Sequence, residues 1–213
     1  ADTKDFRYDG QVAPEPPVFV YAGTHSEWHG AGIFVEAMPA VLAKHPGARL
    51  EFYGNGEERD TMIARSHELG ISDAVTFSGP IPPAALSPIL ASATASIASL
   101  APVPPNDYAL ATKVYSSLAA GCPVIYTGRG PTVDFLNDAE HPAAGVAVAY
   151  DVDEVAAAMV AAAGAPLPPA ARTELAQWSA ERFSLGTIAR RVADESTDIV
   201  NGTWRTRRRS MGS

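Results

Sequence analysis

Lys113 and Ser116 stand in the stretch 111–131, ATKVYSSLAAGCPVIYTGRGP. An amphipathic helical pattern there is stopped by Gly121 and followed by the apolar run Val124, Ile125, Tyr126 and a second turn at Gly128 and Gly130. The pattern describes a helix that delivers a lysine and a hydroxyl to the rim of a parallel sheet. An ammonium on the first turn of a helix sits where the helix dipole already favours an anion, and a diphosphate is a natural guest there. The competing reading of Lys113 is a solvated surface lysine. His25 and His29, four apart in THSEWHG, would reach one ligand together only if that segment were helical. Without a third ligand they do not make a metal site, and no metal is expected. Hydrogen bonding or phosphate contact by His29 is the better reading. Asp107 and Asp134 flank the central helix and belong near the same rim, as caps or solvated acids before catalysts.

Those groups need a scaffold, and the sequence alternates between strand and helix patterns. Strands are expected at 18–21, 49–53, 75–78, 95–100, 123–126 and 146–150. Helical patterns lie between them, with Pro39 expected to bend or divide the first. Such alternation predicts right-handed crossovers and an α/β fold, a Rossmann-like, doubly wound, mostly parallel six-stranded sheet with helices on both faces. Residues 1–17, with Pro14, Pro16 and Pro17, form an extended lead-in to a domain at 18–184. The segment 101–108, APVPPNDY, carries three prolines and is expected to be a stiff, exposed loop. A last amphipathic helix at 185–201 places Ile188, Val192 and Ile199 roughly on one stripe, suited to packing against something outside the sheet. The basic tail 202–213 reads as a disordered end, with acidic lipid as its alternative partner.

Ligands of an open α/β sheet bind outside the carboxyl ends of its strands. Four glycine turns fall there, at 23–30, 54–56, 79–83 and 128–131. None matches the dinucleotide pattern G-x-G-x-x-G in full; the second reads GNGEER, with Arg59 in place of the third glycine.

Bulk properties narrow the function. The net charge of −8 and a pI near 5.1 argue against nucleic-acid binding, so any phosphate must be captured locally. The single cysteine, Cys122, cannot form an internal disulfide, and its place at the head of an apolar strand makes it a buried, inert thiol. No apolar run approaches the ~20 residues of a membrane span, and the first residues lack a signal-peptide pattern, which suggests a cytoplasmic location, with the membrane surface as an extension.

In order and spacing these pieces resemble the C-terminal, nucleotide-sugar-binding domain of the group 1 retaining glycosyltransferases of the two-domain GT-B fold. ADTKDF is similar to the end of N-G-[VA]-D-T-x-x-F, and RLEFYGNGEER to L-x-x-x-G-x-G-x-x-R. DAVTFSGPIPPAAL is similar to V-x-F-x-G-x-[VI], and KVYSSLAAGCPVI to K-[LV]-[FY]-E-[YA]-[LM]-A-A-G-x-P-V-[IL]. The resemblance covers nearly the whole chain. It implies one half of a GT-B fold whose substrate is a UDP- or GDP-sugar, with no further cofactor, transferred with retention. A separate N-terminal domain would hold the acceptor. By position, the diphosphate would meet Gly23, Thr24, His29, Gly30 and Lys113. The ribose and sugar would meet Asp107, Tyr108 and Ser116, and the base Gly79, Pro80 and Ile81. No residue is assigned as catalytic.

Departures accompany the match. The family's pair of glutamates eight apart is Tyr108 and Ser116 here, and the arginine that commonly follows the first glycine is Thr24. A neutral hydroxyl holds a ribose less firmly than a carboxylate, since charge-assisted hydrogen bonds are roughly twice as strong. Two alternatives therefore stand beside the transferase: a non-catalytic binding module with a decayed donor site, and half of a sugar-nucleotide 2-epimerase.

Overall fold

Six short strands, most of them flanked by glycine or proline, form one parallel sheet in the order β3-β2-β1-β4-β5-β6 in a computed structural model that describes residues 1–138 and 140–200. The strands are β1 (Val18–Ala22), β2 (Arg49–Tyr53), β3 (Val75–Ser78), β4 (Ala95–Ser99), β5 (Val124–Thr127) and β6 (Gly145–Val148). β1 pairs with β2 through Val18 to Arg49 and with β4 through Phe19 to Ala95. The strand order reverses between β1 and β4, so the sheet is doubly wound with its switch point there. The basic tail expected at 202–213 lies outside the described residues.

The central strands β1, β4 and β5 are buried on both faces because both faces are covered. The helices are α1 (Gly32–Lys44), α2 (Arg59–Glu68), α3 (Pro83–Ser92), α4 (Lys113–Ala119), α5 (Pro131–Asn137), α6 (Val152–Gly164), α7 (Pro169–Phe183) and α8 (Leu185–Val200). Phe19 and Tyr21 of β1 face a core shared with Phe34 and Met38 of α1, Met62 of α2 and Met159 of α6. Val20, between them, turns to the other face with Leu90 of α3 and Ala119 of α4. Val124 and Tyr126 of β5 pack with Val114 and Leu118 of α4 and Leu175 of α7.

Local departures from expectation have physical causes. Pro39 lies inside α1 without dividing it; the missing N–H removes one hydrogen bond, and the buried run Phe34, Val35, Ala37, Met38 and Val41 holds the helix together. Segment 101–108 is not wholly an exposed loop. Pro104–Tyr108 closes a 3-10 turn, whose first position needs no N–H, and Asn106 is buried within it. Residues 1–17 contain no regular element but lie fastened to the domain. Phe6 enters the core, the Ala1 amine donates to the Phe183 carbonyl at 2.8 Å, and the Arg7 N–H donates to Ser87 Oγ at 3.2 Å. Cys122 is fully buried, which pushes its thiol up to about 12. Along α8, Ile188, Val192 and Ile199 stand 44%, 60% and 61% exposed, an apolar stripe that nothing in the described residues covers.

Candidate functional site

The ends of β1, β2 and β3 surround a cleft of about 470 Å³ lined by Ala22, Gly23, Thr24, Tyr53, Gly54, Asn55, Pro80, Ile81 and Leu86. Backbone forms one side, and apolar side chains form the other. The backbone side depends on glycine. Gly23 and Gly54 both have φ near +151°, and a methyl group on Gly54 would fall on the Gly23 carbonyl oxygen. The turns are laced together: Gly23 N–H donates to the Tyr53 carbonyl at 2.9 Å, His25 N–H to Asn55 at 3.0 Å and Gly54 N–H to Ser78 at 3.1 Å. Arg59, at the head of α2, donates to the Phe77 carbonyl at 3.0 Å and fixes the exit of β3.

Lys113 enters from the far side of the switch point. It is the first residue of α4, a helix of seven residues. Because that helix is so short, the side chain's own charge, rather than a long helix dipole, is what it brings to the rim. A side chain added at Gly23 would meet Lys113 Nζ at 2.8 Å, so the amine lies directly against that glycine. Nζ donates to Tyr21 Oη at 2.8 Å and stands 4.0 Å from the centre of the Tyr21 ring. Among the described residues no carboxylate lies within ion-pairing distance of it. Desolvation without a counter-charge pulls the amine down from 10.5 to about 7.

His29 is held differently. Residues 24–26 are irregular and 27–31 form turns rather than a helix, so His25 and His29 do not share a helix face. His29 Nδ1 pairs with Ser26 Oγ at 2.5 Å, and its ring lies 3.9 Å from that of Trp28. Burial, then the nearby Lys113, lower it to about 4, so it is a neutral imidazole at physiological pH and offers hydrogen bonds but no charge. His25 is fully buried against Tyr21, Phe52 and Phe77. Neither of its ring nitrogens has a partner among the described residues.

The expected site residues therefore fall into two groups. Gly23 and Thr24 share the cleft with Pro80 and Ile81, and Lys113 abuts it through Gly23. Gly79 is exposed and does not line the cleft. Gly30 lies to one side, where its carbonyl accepts from Tyr150 Oη at 2.8 Å. Tyr108, 88% exposed, and Asp107 project from the 3-10 turn, and Ser116 is half-buried on α4; none lines the cleft. A larger cavity of about 660 Å³ runs along β6 and α6, lined by alanine, valine and proline with Glu154 its one acid, and carries no comparable chemistry.

Sequence reading missed three supporting residues. Tyr21 looked like one more apolar position of a buried strand. Asn106 looked like loop, yet its amide donates to the Trp28 carbonyl at 2.7 Å and the Ala101 carbonyl at 2.8 Å, tying the turn before α4 to the loop that carries His29. Tyr150 lies 120 residues from the Gly30 it fastens. A polar atom amid apolar sequence was the only local signal for any of them.

With this geometry established, comparison with known proteins is informative. A family model for glycosyl transferases group 1 matches residues 16–164. A D-inositol 3-phosphate glycosyltransferase of Acidothermus cellulolyticus is 28% identical over 132 residues, 58% of this chain and 28% of that protein. The chain thus spans little more than a quarter of the curated relatives it matches. Among solved structures, Anabaena HepE in complex with UDP and glucose is similar with a TM-score of 0.71 at 14% identity, over 93% of this chain and 55% of that one. The C-terminal domain of LpcC, a group 1 family protein of Francisella tularensis, gives 0.68 at 16% identity, over 87% and 99%. At these identities the likeness of structure is one of fold. No helix among the described residues is long and apolar enough to cross a membrane.

Proposed function

The chain belongs to the glycosyl transferases group 1 family, and from that we propose that it is the donor half of a glycosyltransferase, holding a nucleoside-diphosphate sugar at the ends of β1 to β3. The observation that carries this reading is Lys113, an amine with no carboxylate partner among the described residues, set against Gly23 at the mouth of the cleft. A diphosphate supplies the charge the amine lacks, and Gly23 lets phosphate oxygens approach the backbone. Pro80, Ile81 and Leu86 give the base an apolar wall, and His29 contributes a neutral hydrogen bond. In transfer, Lys113 stabilises the negative charge that grows on the departing diphosphate. That UDP and glucose occupy the Anabaena protein of like fold supports the choice of ligand.

The acceptor, and the other wall of the reaction cleft, belong in this reading to an N-terminal domain. The apolar stripe of α8 suits a neighbour of that kind. Transfer with retention, and inactivity of this half by itself, follow from the same assignment. Calorimetric titration with UDP, GDP and uridine tests it. Binding of a diphosphate form well above that of the nucleoside is expected, and no heat at millimolar nucleotide would defeat the reading.

A second reading, a binding module with a decayed donor site, is favoured by one observation: Thr24 lines the cleft where the family commonly has arginine, and Ser116 stands outside it. The double variant Thr24→Arg, Ser116→Glu separates the two. A large gain in nucleotide affinity marks a decayed site, whereas a loss marks a working one tuned differently.

A further inference from the structure

A lysine that is largely removed from water is ordinarily matched by a carboxylate, and Lys113 has instead the hydroxyl of Tyr21. That hydroxyl is engaged on both sides. It accepts from Lys113 Nζ at 2.8 Å and donates to the Thr24 carbonyl at 3.0 Å, so one oxygen joins the amine from α4 to the turn after β1. The ring cannot swing away. Tyr21 is fully buried, with Phe52 at 5.5 Å, His25 at 5.8 Å and Phe34 at 6.3 Å between ring centres. Burial pushes its own ionisation up, so it remains a neutral phenol.

From this geometry we infer that Tyr21 is a positioning residue of the donor site, fixing the Lys113 amine over Gly23 and the Thr24 turn beside it while leaving the amine's charge free for the ligand. A carboxylate in the same place would hold the lysine as firmly but would neutralise it and repel a diphosphate. The phenol holds it through a single hydrogen bond and the face of its ring. The joint spans the switch point of the sheet, so it also sets the distance between the β1 turn and α4. This inference rests on the reading of Lys113 as the diphosphate contact.

The test compares Tyr21→Phe, Lys113→Met and the double variant in the full chain, by calorimetric titration with UDP, inorganic pyrophosphate and uridine at one pH, and with UDP-glucose from pH 6 to pH 8.5. Tyr21→Phe removes one oxygen and keeps the buried ring, and its melting temperature reports whether the fold is intact. It is expected to weaken UDP and pyrophosphate about tenfold, the scale of a hydrogen bond to a charged group, and to leave uridine unchanged. The pH midpoint of binding, read with UDP-glucose because its diphosphate has no proton to lose in this range, should rise toward that of an ordinary lysine as the amine moves into water, a shift that loss of packing alone does not produce. The double variant should be no weaker than Lys113→Met. Unchanged pyrophosphate binding and an unchanged UDP-glucose midpoint in Tyr21→Phe, with Lys113→Met still weakened, would overturn the role of Tyr21. Losses that add in the double variant would do the same. Unchanged UDP and pyrophosphate binding in Lys113→Met would instead overturn the reading of Lys113 itself.

Discussion

Binding of a nucleotide sugar to this chain should weaken with rising pH across a range where ordinary lysines are silent. The unliganded Lys113 amine is held down to about 7 by desolvation, so the charged form that a diphosphate needs is a minority species above neutrality. Its population falls from about nine-tenths at pH 6 to about one-tenth at pH 8, and apparent affinity should fall about tenfold between those values. A bound diphosphate restores the missing counter-charge and raises the amine's affinity for its proton. Each binding event at pH 8 should then take up close to one proton. UDP-glucose is the suitable probe, because its diphosphate has no proton to lose in this range. His29, already lowered to about 4, stays neutral throughout and adds no slope. Calorimetry in two buffers of different ionisation enthalpy measures both the affinity and the proton uptake. Lys113→Arg, which cannot lose its charge, should bind with a flat profile. The reasoning is refuted if wild-type affinity is constant from pH 6 to pH 8 without proton uptake, or if Lys113→Met keeps the slope.

The same amine costs stability. Its folded-state value lies below the 10.5 of the unfolded chain, so protonation favours unfolding, and stability rises with pH between about 7 and 10.5. Lys113→Met should therefore melt higher than wild type below pH 7, with the difference closing toward pH 10.5 in thermal scans. Gly54→Ala should damage fold and cleft together. It forces a side chain at φ +151° onto the Gly23 carbonyl, and a loss of a few kcal/mol in urea unfolding is expected. His25→Leu should gain about 1 kcal/mol at pH 7 by removing a buried ring with two unpartnered nitrogens. Burial also lowers the His25 imidazole below 6.5, so its destabilising protonation on unfolding sets in as pH falls through 6.5, and the variant's advantage should widen at pH 5 in the same denaturation experiment. Arg172→Met should cost about 3 kcal/mol or more, because the fully buried guanidinium donates to the carbonyls of Leu167, Ala91, Ala93 and Thr94, which would lose their partner.

What the sequence made legible follows from how local each signal is. The central strands could be read because they are continuous buried runs, and most strands because glycine or proline flanks them. The run 49–53 was placed to the residue, and Gly121 ends α4 at φ +67° as a helix stop should. Lys113 could be read at the head of its helix because the helix pattern and its Gly121 stop lie in one chain segment. The joint it makes could not, because Tyr21 lies 92 residues away and its hydroxyl looks, in sequence, like any aromatic of a buried strand. Asn106 was hidden for the opposite reason. The prolines before it argue for an exposed loop, and only the fold shows that their missing N–H groups suit the start of a 3-10 turn that buries the Asn106 amide.

These hidden contacts share one arrangement. Each joins separate segments near the carboxyl edge of the sheet: Tyr21 of β1 to Lys113 of α4 across the switch point, Asn106 to Trp28 between the segments after β4 and β1, and Tyr150 to Gly30 from beyond β6. Backbone hydrogen bonds lace the turns after β1, β2 and β3, but the rest of the rim is built of separate turns, and glycine makes such turns more pliable. Single hydrogen bonds from rigid, buried or half-buried side chains supply the missing rigidity at little cost in charge. That economy matters where the ligand is an anion. Every carboxylate kept out of the rim leaves the Lys113 amine unpaired and removes a repulsion from the diphosphate, and the replacement of the family's usual acids by Tyr108 and Ser116 lowers the negative charge near the rim still further. On this argument the neutral residues are not simply losses. Ser116→Glu alone, one turn along α4 from Lys113, should raise the lysine's affinity for its proton and flatten the pH profile of UDP-glucose binding, whatever it does to the affinity itself. An unchanged profile in that variant would show that α4 does not hold the two side chains near enough to interact.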